Sequence, residues 1–170
     1  MVILFSGRKN KTEKEIIEIL KNYGADYISD KNIHEGNGTL TIISEYKITD
    51  IKVENGIAVF IDETDRFNEQ KLPPNIIGIC EDCNKKALKI LFDNNIPVIS
   101  CGMGAKNTVT LSSINNDSLL ATIQRSVTDM KGNEIEPEEL KIKLKNKYQP
   151  FSIMASIAVL LISGITPYEL

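Results

Sequence analysis

Val2-Ile3-Leu4-Phe5 is an unbroken apolar run that closes on Ser6-Gly7 and is followed, a few residues later, by Thr12-Glu13-Lys14-Glu15. A continuous run of that length reads as a strand covered on both faces, the condition of a central strand in a parallel sheet. Thr12 is placed to cap the first amides of a helix, with Glu15 returning the bond as a capping box. Ile16, Ile17, Ile19, Leu20 and Tyr23 then give that helix an apolar stripe, and Gly24 suits its left-handed stop. Strand, tight turn and helix in this order commit the chain to an α/β beginning.

The same grammar runs on to Cys101. Strands are expected at 25–29, 39–44, 57–62, 76–80 and 97–101 from their β-branched content and length. A helix is expected over 84–92 with Ala87, Leu88, Ile90 and Leu91 inward; 30–38, which holds the only histidine, His34, reads as a polar loop, and 46–55 fits neither pattern. Alternation of this kind favours a Rossmann-like or P-loop-like parallel sheet with right-handed crossovers. Beyond Cys101 the pattern changes to strands at 108–114, 118–128 and 140–144, with Lys131-Gly132-Asn133 as a turn. An apolar helix near 152–163 packs back on the sheet. The fold class is therefore α/β, mostly parallel, with a C-terminal antiparallel extension.

Composition narrows the function. The 170 residues correspond to about one domain. Twenty basic against 23 acidic side chains, net charge −3, leave no basic footprint for nucleic acid or an anionic membrane. The longest apolar stretch, 151–165, falls short of the ~20 residues a membrane crossing needs. Three cysteines, an odd number with no secretory leader, point to a reducing cytosol.

Three segments have the residue types for chemistry. Gly7-Arg8-Lys9-Asn10-Lys11-Thr12 lies where a first strand enters a helix, where backbone amides hold phosphate. A P-loop there ends in Gly-Lys-Ser/Thr: glycine lets the backbone approach, lysine neutralises charge and the hydroxyl reaches magnesium. Lys11 and Thr12 fit, whereas Asn10 stands at the glycine; the alternative is a capped helix with solvated lysines. Cys80-Glu81-Asp82-Cys83, with Cys101 as a third sulfur, admits a redox or zinc reading beside the plainer one of small core residues. Gly102-Met103-Gly104-Ala105-Lys106-Asn107 leaves a strand at its C-terminal end and reads as an anion loop or a chain reversal. The acidic run 134–139 reads as a solvated loop, and no nucleophile, base and orienter form a triad around the single histidine.

Taken in order, these segments resemble the central ATPase domain of the Mur ligases, which add amino acids to peptidoglycan precursors and have folylpolyglutamate and cyanophycin synthetases as relatives. VILFSGRKNKTEKEIIEILKNYG is similar to the family's strand, G-T-N-G-K-T loop and helix: Gly7, Lys11 and Thr12 match, and Arg8, Lys9 and Asn10 depart. ISEYKITDI resembles the segment of the metal-linked glutamate, which implies that role for Glu45. IAVFIDETDRF resembles the strand and T-N-x-x-x-D-H motif, with Asp65-Arg66 near that place and no histidine. IIGICEDCNKKALKIL resembles the N-x-D-D strand end and its helix, which implies that Asp82 is the retained acid and Asn84 a neighbour of the nucleotide.

IPVISCGMG resembles the later strand and glycine turn, and DSLLATIQRSVTDMKGNEI the antiparallel tail. PFSIMASIAVLLISGI resembles the closing helix, with Tyr148, Gln149 and Pro150 in place of Gly-x-His-Asn. The resemblance implies ATP and Mg²⁺ as cofactors, ATP phosphorylating a carboxylate that an amine then attacks. From the 170 residues, the family's other two domains are expected to be missing. The leading expectation is thus a Mur-ligase-like protein without ligase activity, acting as a homo-oligomer or on a larger protein partner. The second is a nucleotide-binding protein or weak ATPase completed by another chain, and the third a thiol or metal protein using Cys80, Cys83 and Cys101.

Overall fold

The computed structural model describes residues 1–5, 10–44, 51–62 and 72–170. The first half contains β1 (Val2–Phe5), α1 (Lys11–Asn22), β2 (Asp26–Ser29), β3 (Ile33–His34), β4 (Thr41–Ser44) and β5 (Gly56–Phe60). It continues with β6 (Ile76–Glu81), α2 (Lys85–Asp93) and β7 (Val98–Cys101). The antiparallel part holds β8 (Val109–Ile114), β9 (Ser118–Ile123), β10 (Val127–Thr128), β11 (Glu134–Ile135) and β12 (Glu138–Lys143), and α3 (Pro150–Ile162) follows. Among the described residues, one sheet runs in the order β12-β9-β8-β7-β6-β5-β1-β4-β2-β3, and β10 pairs with β11 apart from it. Strands β2, β4, β1, β5, β6, β7 and β8 are mutually parallel, while β3, β9 and β12 are joined antiparallel.

The expected α/β architecture with an antiparallel extension is the one observed, and alternation along the strands explains its two cores. Val2 and Leu4 face α1 and α3, whereas Ile3 and Phe5 face α2. Phe5 stacks on Phe60 of the adjacent strand at 4.8 Å between ring centroids. Because both sheet faces are covered, β1 and β5 are buried throughout. Helix α3 is buried from Phe151 to Ile162, between α1 and strands β6 to β8, so its sequence shows no polar face. No helix among the described residues is long and apolar enough to cross a membrane.

Several local expectations are corrected. The cap of α1 is Asn10, not Thr12: its side chain accepts from the amides of Thr12 and Glu13. Glu15 does not close a capping box either, being buried against α3. The stop at Gly24 holds: φ is +81°, and its amide and that of Ala25 bond the carbonyls of Lys21 and Leu20, a Schellman arrangement. Loop 30–38 contains β3, because Ser29 and Asn32 close a tight turn, Ser29 N–H donating to the Asn32 carbonyl at 2.9 Å. The expected strand over 118–128 divides into β9 and β10, and the acidic run contributes β11 and the start of β12. Pro150 opens α3 at its first position, where a missing N–H costs nothing.

Candidate functional site

In an open parallel sheet, ligands lie beyond the C-terminal strand ends, at the point where strand order reverses. From β1 the chain passes through α1 to β2 and returns to β4 on one side of β1, then places β5, β6 and β7 in turn on the other. The reversal therefore falls at β1 and β5. Asn10, which follows β1, spans it: Nδ2 donates to Asp62 Oδ1 beyond β5 at 2.6 Å.

Asn10 also occupies the start of α1. Its Oδ1 accepts from Thr12 N–H at 2.8 Å and Glu13 N–H at 3.4 Å, the amides that an anion at a helix N-terminus would take. Lys11 is exposed, its Nζ lying 3.4 Å from Glu15 Oε1, one turn along. The Thr12 hydroxyl donates to the Gln149 side-chain carbonyl, and the Ser44 hydroxyl at the end of β4 to the Glu13 carboxylate. Glu15 is 6% exposed; its Oε2 accepts from Gln149 N–H at 2.8 Å and from the Ser152 hydroxyl at 2.6 Å. The side chains of Asn10, Lys11, Thr12, Glu13 and Glu15 at this helix start thus each have a partner within the chain.

One strand further, Asp82 follows β6. Its N–H donates to the Cys101 carbonyl at 3.0 Å, and its Oδ2 accepts from Asn107 Nδ2 at 2.7 Å. Asn107 Nδ2 also reaches the Gly104 carbonyl at 3.2 Å, folding 102–107 back on itself, the chain-reversal form of that loop. A Cβ at Gly102 would lie 2.6 Å from both Asp82 Oδ2 and Asn107 Nδ2, so the close approach requires glycine. Asn84 is buried and caps α2, its Oδ1 accepting from Ala87 N–H at 3.0 Å. Gly7 and Glu45 lie outside the described residues, as does Asp65-Arg66.

The cysteines are not brought together. Cys80 points into the core against α2, Cys101 into the core on the opposite face, and Cys83 is exposed. Burial pushes the Cys80 thiol up to about 12 and the Cys101 thiol well above its ordinary range; Cys83 is raised too, first by desolvation and then by Glu81. All three shifts favour the neutral thiol, the less nucleophilic form, and only Cys83 is open to solvent. Among the described residues no three histidine, cysteine or acidic side chains group as metal ligands, and His34 lies on the exposed edge strand β3.

Sequence reasoning missed Asp62, Asn107 and Gln149 as members of this edge. The signal that could have found Asn10 as the cap in place of Thr12 is its type, since asparagine ranks among the best residues there. No local signal connects Glu15 to residues 149 and 152.

The arrangement of strands, helices and antiparallel extension has counterparts among solved structures. The chain is similar to the UDP-N-acetylmuramate:L-alanyl-gamma-D-glutamyl-meso-diaminopimelate ligase from Neisseria meningitides, with TM-score 0.54 and 11% identity over 97% of this chain and 61% of that one. The fold is Mur-ligase-like. A second similarity, to a point mutant of the L. casei folylpolyglutamate synthase, has TM-score 0.51 and 10% identity over 96% of this chain and 58% of the other. The chain thus spans about three fifths of the length of both proteins. No protein-family profile matches it, and neither does any curated protein sequence.

Proposed function

We propose that this chain is a Mur-ligase-like module in which the phosphate loop has become a structural helix cap, and that it acts as a binding or oligomeric module without ligase activity. The observation that supports this reading most is Asn10: its side chain takes the Thr12 and Glu13 amides and ties them to Asp62. A phosphate would have to displace an internal acceptor already in place, while Lys11 and Thr12 are engaged by Glu15 and Gln149. The test is isothermal calorimetry with Mg-ATP and Mg-ADP, Lys11→Ala serving as control. No saturable binding at millimolar nucleotide is expected. Saturable binding that Lys11→Ala abolishes would overturn the reading.

A second reading is favoured by the position of the same residues at the strand-order reversal. Here the chain binds ATP and Mg²⁺, with Gly7, Asn10, Lys11 and Thr12 toward the phosphates, Asp82 and Asn84 toward the nucleotide, and Glu45 toward the metal, another chain completing the site. Releasing the Asn10 cap costs about 1 kcal/mol, a small part of a micromolar binding energy. Asn10→Gly frees the amides at little cost to the helix and separates the readings. It strengthens Mg-ATP binding under the second and produces none under the first.

A further inference from the structure

The end of β8, the turn after it, the segment after β12 and α3 border an open surface cleft of about 520 Å³. Sites for small molecules run from roughly 300 to 1,000 Å³. Ile114, Leu144 and Ile153 supply its apolar lining, and Ile114 remains 48% exposed although it ends a strand whose first residues are buried. Asn115, Asn116, Lys147 and Tyr148 supply the polar part.

The polar groups differ in what they have left to offer. Of the neighbouring charges, Lys145 Nζ pairs with Glu169 at 2.6 Å, whereas Glu18 accepts from Asn146 at 3.2 Å and from the Tyr148 hydroxyl at 3.0 Å and keeps its negative charge on the far side of that phenol. Tyr148 is partly desolvated, which raises its pKa and keeps it a neutral phenol. Within the described chain, by contrast, no hydrogen bond or ion pair occupies the side chains of Asn115, Asn116 or Lys147. Asp117, next in sequence, is exposed and not part of the lining. One free ammonium and two free amides beside an apolar surface match a carboxylate, which accepts only, on a short hydrocarbon body.

We propose that this cleft is a binding site for a small amphipathic carboxylate, its apolar part over Ile114, Leu144 and Ile153 and its oxygens at Lys147 and the Asn115 and Asn116 amides. This goes beyond the module reading and is independent of the loop at Asn10. The test titrates hexanoate, 1-hexanol and hexylammonium separately into isotopically labelled full-length protein and follows the Asn side-chain amide resonances by NMR. Hexanoate should shift those of Asn115 and Asn116 saturably, with hexanol and hexylammonium weaker by about tenfold or more. Lys147→Glu, at an exposed position, should keep the fold's spectrum and reverse the order in favour of hexylammonium. The proposal is overturned by unmoved Asn115 and Asn116 resonances, by hexanol binding as tightly as hexanoate, or by a Lys147→Glu protein that retains hexanoate affinity.

Discussion

Glu15 of α1 accepts two hydrogen bonds from the start of α3, from the Gln149 amide at 2.8 Å and the Ser152 hydroxyl at 2.6 Å. α3 has no capping side chain of its own, and the carboxylate that caps it comes from more than one hundred positions earlier. A negative charge at a helix N-terminus is favourable, and this one is shielded from water. One side chain therefore locks together the two helices on one face of the sheet.

Glu15→Ala leaves the Gln149 amide and the Ser152 hydroxyl without their acceptor. We expect a loss of about 2–4 kcal/mol in urea unfolding, with Glu15→Gln losing roughly half as much because its amide oxygen still accepts. Equal stability of Glu15→Ala and wild type would show that the bridge does not hold α1 to α3.

At Asn10, removal of the side chain deletes both the α1 cap and the link to Asp62. Asn10→Ala should destabilise by about 1–2 kcal/mol. Asn10→Asp keeps the cap but sets a second carboxylate against Asp62. It should fall between Asn10→Ala and wild type, and recover as ionic strength rises.

Ser156 is fully buried in α3 and its hydroxyl has no hydrogen-bond partner among the described residues. Replacing it with alanine removes an unsatisfied polar group and raises helix propensity. Ser156→Ala should stabilise by about 1 kcal/mol, read as a higher urea midpoint at unchanged slope. A destabilised variant would mean that the hydroxyl is satisfied in solution.

The buried thiols make the fold sensitive to alkali. The Cys80 thiol is moved from an ordinary 9.0 to about 12 by burial, so the unfolded chain loses this proton first. Its contribution is fully present below about pH 9 and declines as pH rises toward 12, by up to about 1.4 kcal/mol per pH unit. Cys101 acts in the same direction. Urea melts from pH 7 to 11 should show this decline, with a shallower slope in Cys80→Ala. In native protein at neutral pH a thiol reagent should label only Cys83, the exposed one, with Cys80 and Cys101 reacting after denaturation.

The short apolar runs, the β-branched segments and the punctuation at Gly24 were sufficient to read an α/β sheet with an antiparallel extension. These signals are local: each strand must be apolar on the faces it buries, and each helix needs an apolar stripe and a stop. For the same reason α3 was legible as a buried helix from its composition. The exact caps were less legible, because Asn10 and Thr12 are both good capping residues and the backbone selects between them.

The candidate edge is another matter. Asn10 meets Asp62, Asp82 meets Asn107 and Glu15 meets Ser152 only because the strand order places β5 beside β1, β7 beside β6 and α3 beside α1. The strand period of two likewise decided that Cys80 and Cys101, both read as thiols available to one site, face opposite sides of the sheet. Sequence by itself determined which residues could be buried and which could cap or bond. Tertiary structure decided their partners, since hydrogen bonding and burial depend on distances that only the packed sheet and helices define.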